Sequence, residues 1–583
     1  MMSRGKATLG ALCLVLIFTG CQAAAPKTRK TLSEWSRGQQ LGITGLNQRV
    51  EMVSDQDALH LVWVAAEGRT LHYARLDRAG RVQVSTDVAL GGAHPSSPRL
   101  SISTDGSLRL MWTDNPRIPR ALFFARLSSD GQLLGEPELL SQDGVRVSDY
   151  DLARNPDDSL DIFWATEVPT DGGIYHLQVL ADDRVGEANH LLVGNAAKPN
   201  LQVDRNGAIH LIWVEGATLQ ENNIYYAVYD RSTGELEGKM RVGFYRSGTG
   251  LVAYPPVLGL DKSTAYVFWA SEARGGGQAG EAQTFVTSFP VGEPAFNEAE
   301  PVEIPGTVKP EYHKTTGSLP YRQLASATAG WRTSYLYMPA VLGGQNDELG
   351  LFMVGQFSSR NRSSTEVAWA ILADGAVRGY QLPTRSGGSA RPAGMLDEGG
   401  NVHLVWLNAA GFGRYEAYYA STSEAVRANL DRLSVQDVAS DALGALWNLA
   451  PALGFFPPVF LLWTILSFIW VVGFYIVKVE GGLERRASQV ALAIAILLYL
   501  GSKLFLMPPT MLLYAPFVER FPANLQFIPV IGTLVFTTLI AVGAVAIYFR
   551  KREYRSMLAA YFIFVSTDAL ISLVIYIPGV IGP

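Results

Sequence analysis

Beyond residue 21 the chain has no cysteine, since its only two are Cys13 and Cys21. No disulfide can brace the remaining length, so cysteine is read here for processing rather than for folding. Charge is scarce as well. Charged residues make up 17% of the 583 positions and the net charge is −5, so the basic surplus that a nucleic-acid partner calls for is missing. Nucleotide-binding, kinase and haem-attachment motifs are also lacking, and no cofactor is expected. Nearly all the long uncharged runs are confined to the region after Phe455. A chain of this length and asymmetry needs two or more domains.

What the chain has in quantity is a short apolar stretch ending in tryptophan. Leu59-His60-Leu61-Val62-Trp63 is the first, and near-copies end at Trp112, Trp164, Trp213, Trp269 and Trp406, with Met353 closing a seventh. Successive markers lie 49, 52, 49, 56, 84 and 53 residues apart. In five copies a proline stands fourteen residues ahead of the marker: Pro98, Pro199, Pro255, Pro339 and Pro392. After the proline comes a short alternating strand, then an Asp/Asn/Gly turn such as Thr104-Asp105-Gly106 or Asp204-Arg205-Asn206-Gly207. These residues tolerate the positive φ of tight hairpins. The marker strand follows, almost continuously apolar, as expected where both faces are covered. An aromatic-rich third strand such as Ile224-Tyr225-Tyr226-Ala227-Val228-Tyr229 and a weaker fourth complete the unit.

Repeats of about 40–50 residues with four antiparallel strands each define an all-β propeller over residues 36–425. Seven markers argue for seven blades, with six or eight left open. Gln39-Gln40-Leu41-Gly42-Ile43 reads as a fourth strand that closes the last blade. The grammar of proline, Asp/Gly turn, HLVW strand and YYA strand resembles the sialidase-like propeller repeats of secreted bacterial proteins. That resemblance would imply a nucleophilic tyrosine with its paired carboxylate, an acid/base group and three arginines at one mouth of the ring. The family's Ser-x-Asp-x-Gly-x-x-Trp boxes are absent, since Ser103-Thr104-Asp105-Gly106 has the wrong spacing. Arg117-Ile118-Pro119 follows Pro116 in a loop after Trp112, away from the start of the ring where the family's arginine motif stands. The resemblance therefore speaks for the fold and not for the activity.

Arg4 and Lys6 precede the apolar run Leu9 to Phe18, too short to span a bilayer but suited to a signal peptide. Phe18-Thr19-Gly20-Cys21 resembles a bacterial lipobox, which makes Cys21 the expected lipidation site and 1–20 a lipoprotein signal peptide. Cleavage within Ala23-Ala24-Ala25 is the other reading. Residues 21–35 form a tether. Within the ring, His60, His210 and His403 occupy one repeat position and so spread around it, which argues against a shared metal. Glu311-x-His313 is a weaker candidate still. Arg274-Gly275-Gly276-Gly277 lacks the Lys-Ser/Thr and the helix that a phosphate loop needs. The extra residues between Trp269 and Met353 hold Tyr312, His313, Tyr321, Arg322, Trp331, Arg332 and Tyr335, aromatic and arginine side chains on a long loop. They form the candidate partner-binding loop, the alternative being a flap packed on the ring itself.

From residue 426 to 455 apolar residues recur at three- and four-residue steps, as in an amphipathic connector lying on the ring or the membrane. Residues 456–583 hold four stretches of about 20 residues or more, each able to cross a ~30 Å hydrocarbon layer as a helix. Basic loops follow the first stretch (Lys478, Arg485, Arg486) and the third (Arg550, Lys551, Arg552, Arg555). Positive-inside logic puts both in the cytoplasm and the propeller and both termini outside. Lys503 and Asp568 are the ionisable residues within spans, expected to pair with each other, to bond a partner helix or, for Lys503, to snorkel outward. A structural or assembly role is favoured over an ion path.

The resulting expectation is an all-β propeller followed by an all-α four-helix transmembrane domain, in the bacterial cytoplasmic membrane. It would act without catalysis, binding or scaffolding a protein or glycan partner outside that membrane. A sialidase-like glycoside hydrolase and an accessory subunit of a transport or signalling complex are the alternatives.

Overall fold

A computed structural model describes residues 27–28 and 34–581, apart from 305–335, 433–448, 508–524 and shorter connecting segments. Twenty-eight strands form seven four-stranded antiparallel sheets. Six sheets use four consecutive strands. The seventh joins Ser389–Leu396, Val402–Gly411 and Arg414–Ser421 to the first strand of the chain, Gln39–Thr44. Gln39 pairs with Tyr419 and Thr44 with Tyr415, so the expected closing strand is the one observed. Glu51–Ser54 of the first blade packs against Ser389–Leu396 of the seventh, which closes the circle. The protein is a seven-bladed β-propeller followed by a helical domain.

The marker strands are second from the axis, and alternation explains their unbroken apolar character. Leu61 and Trp63 turn toward Val405 and Leu407 of the seventh blade, while Val62 and Val64 turn toward Leu110 and Trp112 of the second. Each blade thus fills the groove of both neighbours, and every residue of Leu108–Asp114 is buried. The hairpin turns follow the expected chemistry. Asp204 Oδ1 accepts from the amides of Asn206 and Ala208 at 2.8 Å each, and Gly207 takes φ +82°.

A short helix, α1 (Glu424–Leu430), adds a second clasp. Its Val426 and Leu430 are buried among Trp63, Leu76 and Tyr419, contributing about 1.5–3 kcal/mol apiece. Asn429 Nδ2 donates to Ala79 O of the first blade at 3.0 Å. The N-terminal segment binds the same corner: Lys27 Nζ donates to Leu430 O (3.2 Å), Arg37 N to Asp431 Oδ1 (2.9 Å) and Ser36 N to Ser421 O (2.8 Å). The first turns of the connector read at 426–455 therefore lie on the ring.

The second unit, from Leu433 onward, contains α2 (Leu449–Val477), α3 (Arg486–Leu506), α4 (Phe527–Lys551) and α5 (Met557–Ile581). All four are long and apolar enough to cross a membrane. Helix α2 starts within the residues read as connector, and Pro457 and Pro458 lie inside it. Helix α5 packs against the other three, and Trp463, Ala495, Tyr499, Ala541, Phe564 and Ala569 share one core. Apolar side chains also point outward, with Phe505 88% and Ile476 77% exposed, the inverse of a water-soluble bundle and the pattern a lipid-facing surface needs.

Candidate functional site

The strand directions divide the ring into two unlike faces. The connections between first and second strands, and between third and fourth, leave from one face, the turn face, which carries the Asp/Gly hairpin turns. Those from second to third strand, and from blade to blade, leave from the other, the loop face. The longest of them joins Glu300–Pro301 of the fifth blade to Leu336–Leu342 of the sixth. The two ends of the propeller segment meet at the turn face, where Arg414–Ser421 finishes and Gln39–Thr44 begins.

Near the loop face, the innermost strand of five blades is interrupted by a two-residue bulge opposite the marker. The bulges are Ser97-Pro98, Lys198-Pro199, Pro255-Pro256, Met338-Pro339 and Arg391-Pro392. In Ser97, Lys198, Met338 and Arg391, the residues before the proline, φ is 50°, 56°, 52° and 49° in turn, left-handed values that cost about 1–3 kcal/mol each. A bulge of this kind re-aims a side chain. Arg391 Nε reaches Asn47 Oδ1 at 3.4 Å, and Met338 Sδ accepts from Arg391 N at 3.5 Å. Lys198 has no polar side-chain partner among the described residues. Deeper along the same strands a polar girdle links five blades. Arg99 lies 3.1 Å from Glu51 and 3.6 Å from Asp151, Asn200 Nδ2 donates to Asp151 at 2.8 Å, and Leu258 N donates to Asn200 Oδ1 at 2.7 Å.

The fifth blade adds the most reactive-looking group at this face. Tyr254 OH donates to Glu272 Oε2 at 2.5 Å, Arg274 Nη2 lies 3.3 Å from the same oxygen, and the Tyr337 ring stands 5.7 Å from that of Tyr254. Burial, then the hydrogen bond to Glu272, pushes the Tyr254 phenol up, so it stays protonated and donates to the carboxylate. Sequence reasoning passed over Tyr254 and Glu272. Their signal was positional, because Tyr254 precedes the Pro255-Pro256 pair and Glu272 stands just past its marker.

The three repeat-position histidines hold their own blades together. His60 lies between Tyr73 OH (2.7 Å) and Asp55 Oδ2 (3.0 Å), and His403 between Tyr419 OH (2.9 Å) and Asp397 Oδ2 (3.1 Å). His210 contacts Tyr226 OH at 2.6 Å with Asp204 at 3.4 Å. Burial lowers the pKa of all three. Cys21, Arg117 to Pro119, Gly275 to Gly277, and the loop residues Tyr312, His313, Tyr321, Arg322, Trp331, Arg332 and Tyr335 lie outside the described residues.

In the helical unit the two intramembrane charges meet. Lys503 Nζ lies 2.6 Å from Asp568 Oδ2, with 1% and 0% of the side chains exposed, so Lys503 turns inward rather than snorkelling. The ammonium also donates to Ser572 Oγ (2.7 Å) and Thr537 Oγ1 (3.4 Å) and lies 5.7 Å from the Trp463 ring centre. Tyr499 OH donates to Asp568 Oδ2 at 2.7 Å. All four helices thus contribute to one polar knot.

No family model matches the chain, and no curated protein does. Solved structures that it resembles include the polysaccharide lyase Uly1, at 10% identity over 68% of this chain and 99% of that one, TM-score 0.42. A protein of unknown function from Dyadobacter fermentans aligns at 11% identity over 56% and 94%, TM-score 0.37. The PQQ-bound aldose sugar dehydrogenase of Streptomyces coelicolor aligns at 12% over 68% and 98%, TM-score 0.32. At such identities and scores the likeness carries no activity or ligand to this chain.

Proposed function

We propose that the chain is a non-catalytic propeller held at the bacterial cytoplasmic membrane, which binds or scaffolds a protein or glycan partner on the extracytoplasmic side. The observation that carries this reading is the asymmetry of the ring. The start of the ring's first strand and the end of its last are tied together at the turn face, and the longest connection, between Glu300–Pro301 and Leu336–Leu342, leaves from the opposite face. Binding residues concentrate on loops borne by rigid scaffolds, and a propeller sealed by the pairing of its first and last strands is such a scaffold. The apolar run before Cys21 and the basic loops after the first and third spans support an external ring, with Cys21 as a lipid anchor. Affinity purification from solubilised membranes tests the proposal. Replacing residues 305–335 by a short Gly-Ser linker should abolish recovery of the partner; undiminished recovery would remove the loop from the account.

A second reading, a glycoside hydrolase of sialidase type, is favoured by one observation, the Tyr254–Glu272 hydrogen bond with Arg274 beside it. A tyrosine nucleophile needs a carboxylate to take its proton, and this pair supplies both groups. Hydrolysis of sialosides by the intact protein, lost in Tyr254→Phe, would establish it. Inertness of the wild type toward sialosides would dispose of it.

A further inference from the structure

The Lys503–Asp568 pair does not stand alone in the helical unit. Tyr561, Asp568, Ser572 and Tyr576 follow one another along α5 at steps of 7, 4 and 4 residues, which places them on one face, and all four are 0% exposed. Each of the other helices turns hydroxyl groups toward that face. From α2, Ser467 Oγ meets Tyr561 OH at 2.6 Å, with Thr464 O at 3.5 Å. From α3, Tyr499 and Lys503 hold Asp568. From α4, Thr537 reaches Lys503.

The line from Tyr561 to Tyr576 covers 15 residues of helix, roughly 22 Å at 1.5 Å per residue. That is most of a ~30 Å hydrocarbon layer. An ion pair kept only for stability needs no such extension, because a buried pair is commonly no better than well-packed apolar residues. A second observation concerns what is left over. Asp568 Oδ1, Ser502 Oγ and Tyr576 OH are fully buried with no hydrogen-bond partner among the described residues. Buried polar atoms of this kind call for water, and a carboxylate oxygen that Lys503 does not hold is a free proton acceptor.

We propose that the helical unit conducts protons along the buried face of α5, with Asp568 as the group that binds and releases them. This is independent of the binding role of the ring. A hydronium ion on one side gives a proton to Asp568 Oδ1, its O–H bond breaking as the new one forms and water remaining, and the Lys503 ammonium loses its counter-charge. Asp568 then passes that proton through the hydroxyl line to water on the other side and regains its ion pair. No electron moves, and the net change is one proton carried across the layer, driven by the membrane potential.

The full chain reconstituted into liposomes with a trapped pH-sensitive dye tests this, with the potential set by a potassium gradient and valinomycin. Wild type should acidify or alkalinise the lumen faster than protein-free vesicles, following the sign of the potential. The double variant Lys503→Met/Asp568→Asn, which removes both charges, should fall to the protein-free rate. Tyr576→Phe, which keeps the ion pair, should lower the flux even if the charge variants do not fold, and the lipid-facing Leu497→Ala should leave it unchanged. Wild-type flux equal to that of empty vesicles would overturn the proposal. So would wild-type flux in a folded double variant or in Tyr576→Phe.

Discussion

Replacing Lys503 and Asp568 singly and then together measures how far the two charges depend on each other. They touch at 2.6 Å in an interior that excludes solvent from both. Asp568→Leu strands the ammonium with only the neutral hydroxyls of Ser572 and Thr537. Lys503→Met strands the carboxylate with only Tyr499. Each single change should cost about 3–5 kcal/mol, because a desolvated charge is left uncompensated. The double variant Lys503→Met/Asp568→Leu removes both charges and should lie within about 2 kcal/mol of wild type. The coupling energy is then at least about 4 kcal/mol, against the roughly 0.3–0.5 kcal/mol scatter expected of independent sites. Unfolding the full chain by sodium dodecyl sulfate titration in mixed micelles gives all four free energies. Should the two single losses simply add up in the double variant, the pairing is not what holds these residues inside, and the reasoning fails. A double variant as stable as wild type would mean that stability alone does not account for the pair.

The ring makes its own predictions. An unfolded histidine takes up a proton near pH 6.5, whereas burial lowers the pKa of His60, His210 and His403, so protonation favours unfolding and the ring should lose stability as pH falls below about 6.5. Tryptophan-fluorescence melts between pH 7.5 and 5 would follow this, and a midpoint that did not fall would contradict it. A Cβ on Gly38 would come within 2.4 Å of Trp406 Cη2, and one on Gly42 within 2.8 Å of Trp63 Cζ2. Gly38→Val or Gly42→Val should therefore loosen the closing strand at a cost of about 1–3 kcal/mol, read as a lowered Tm. Arg109, with 0% of its side chain exposed, donates to Asp183 Oδ1 and Asp158 O at 2.5 Å each and to Ala181 O at 3.0 Å. Arg109→Met should cost about 3 kcal/mol in a denaturant titration, and a change under about 0.5 kcal/mol would mean that Arg126 and Ser103 suffice to hold the two aspartates.

The ring was legible because each blade repeats the same physical problem. A strand covered on both sides must be apolar throughout, so Leu61 and Val62, facing opposite neighbours, look alike in the sequence. Gln39–Thr44 was legible as a strand left without a blade. The membrane helices announced themselves by length, although Pro457 and Pro458 hid the true start of α2 at Leu449. Side-chain meetings were harder to foresee. Tyr254 finds Glu272 only through the pairing of Tyr254 with Ala270 on the neighbouring strand, and that register is set by the proline bulge. Asp568 was visible as an oddity in an apolar run, but the meetings of Tyr499 with Asp568 and of Thr537 with Lys503 depend on the rotational phase of three helices. Periodicity within one helix carries no information about that phase. Arg109 and Asp183 sit in different blades, and no local pattern relates them.

The pairing of Gln39 with Tyr419 has a consequence for the order of events during synthesis. The earliest-made strand must wait, unpartnered, until almost the whole toroid has been translated. A nascent chain stopped anywhere before residue 421 would be an arc with an unfilled apolar flank at each end, prone to self-association, and not a smaller stable ring. The short waiting segment, Gln39-Gln40-Leu41-Gly42-Ile43-Thr44, has polar and glycine residues that keep it poorly suited to premature pairing. Assembly then finishes in a single late step that joins beginning to end.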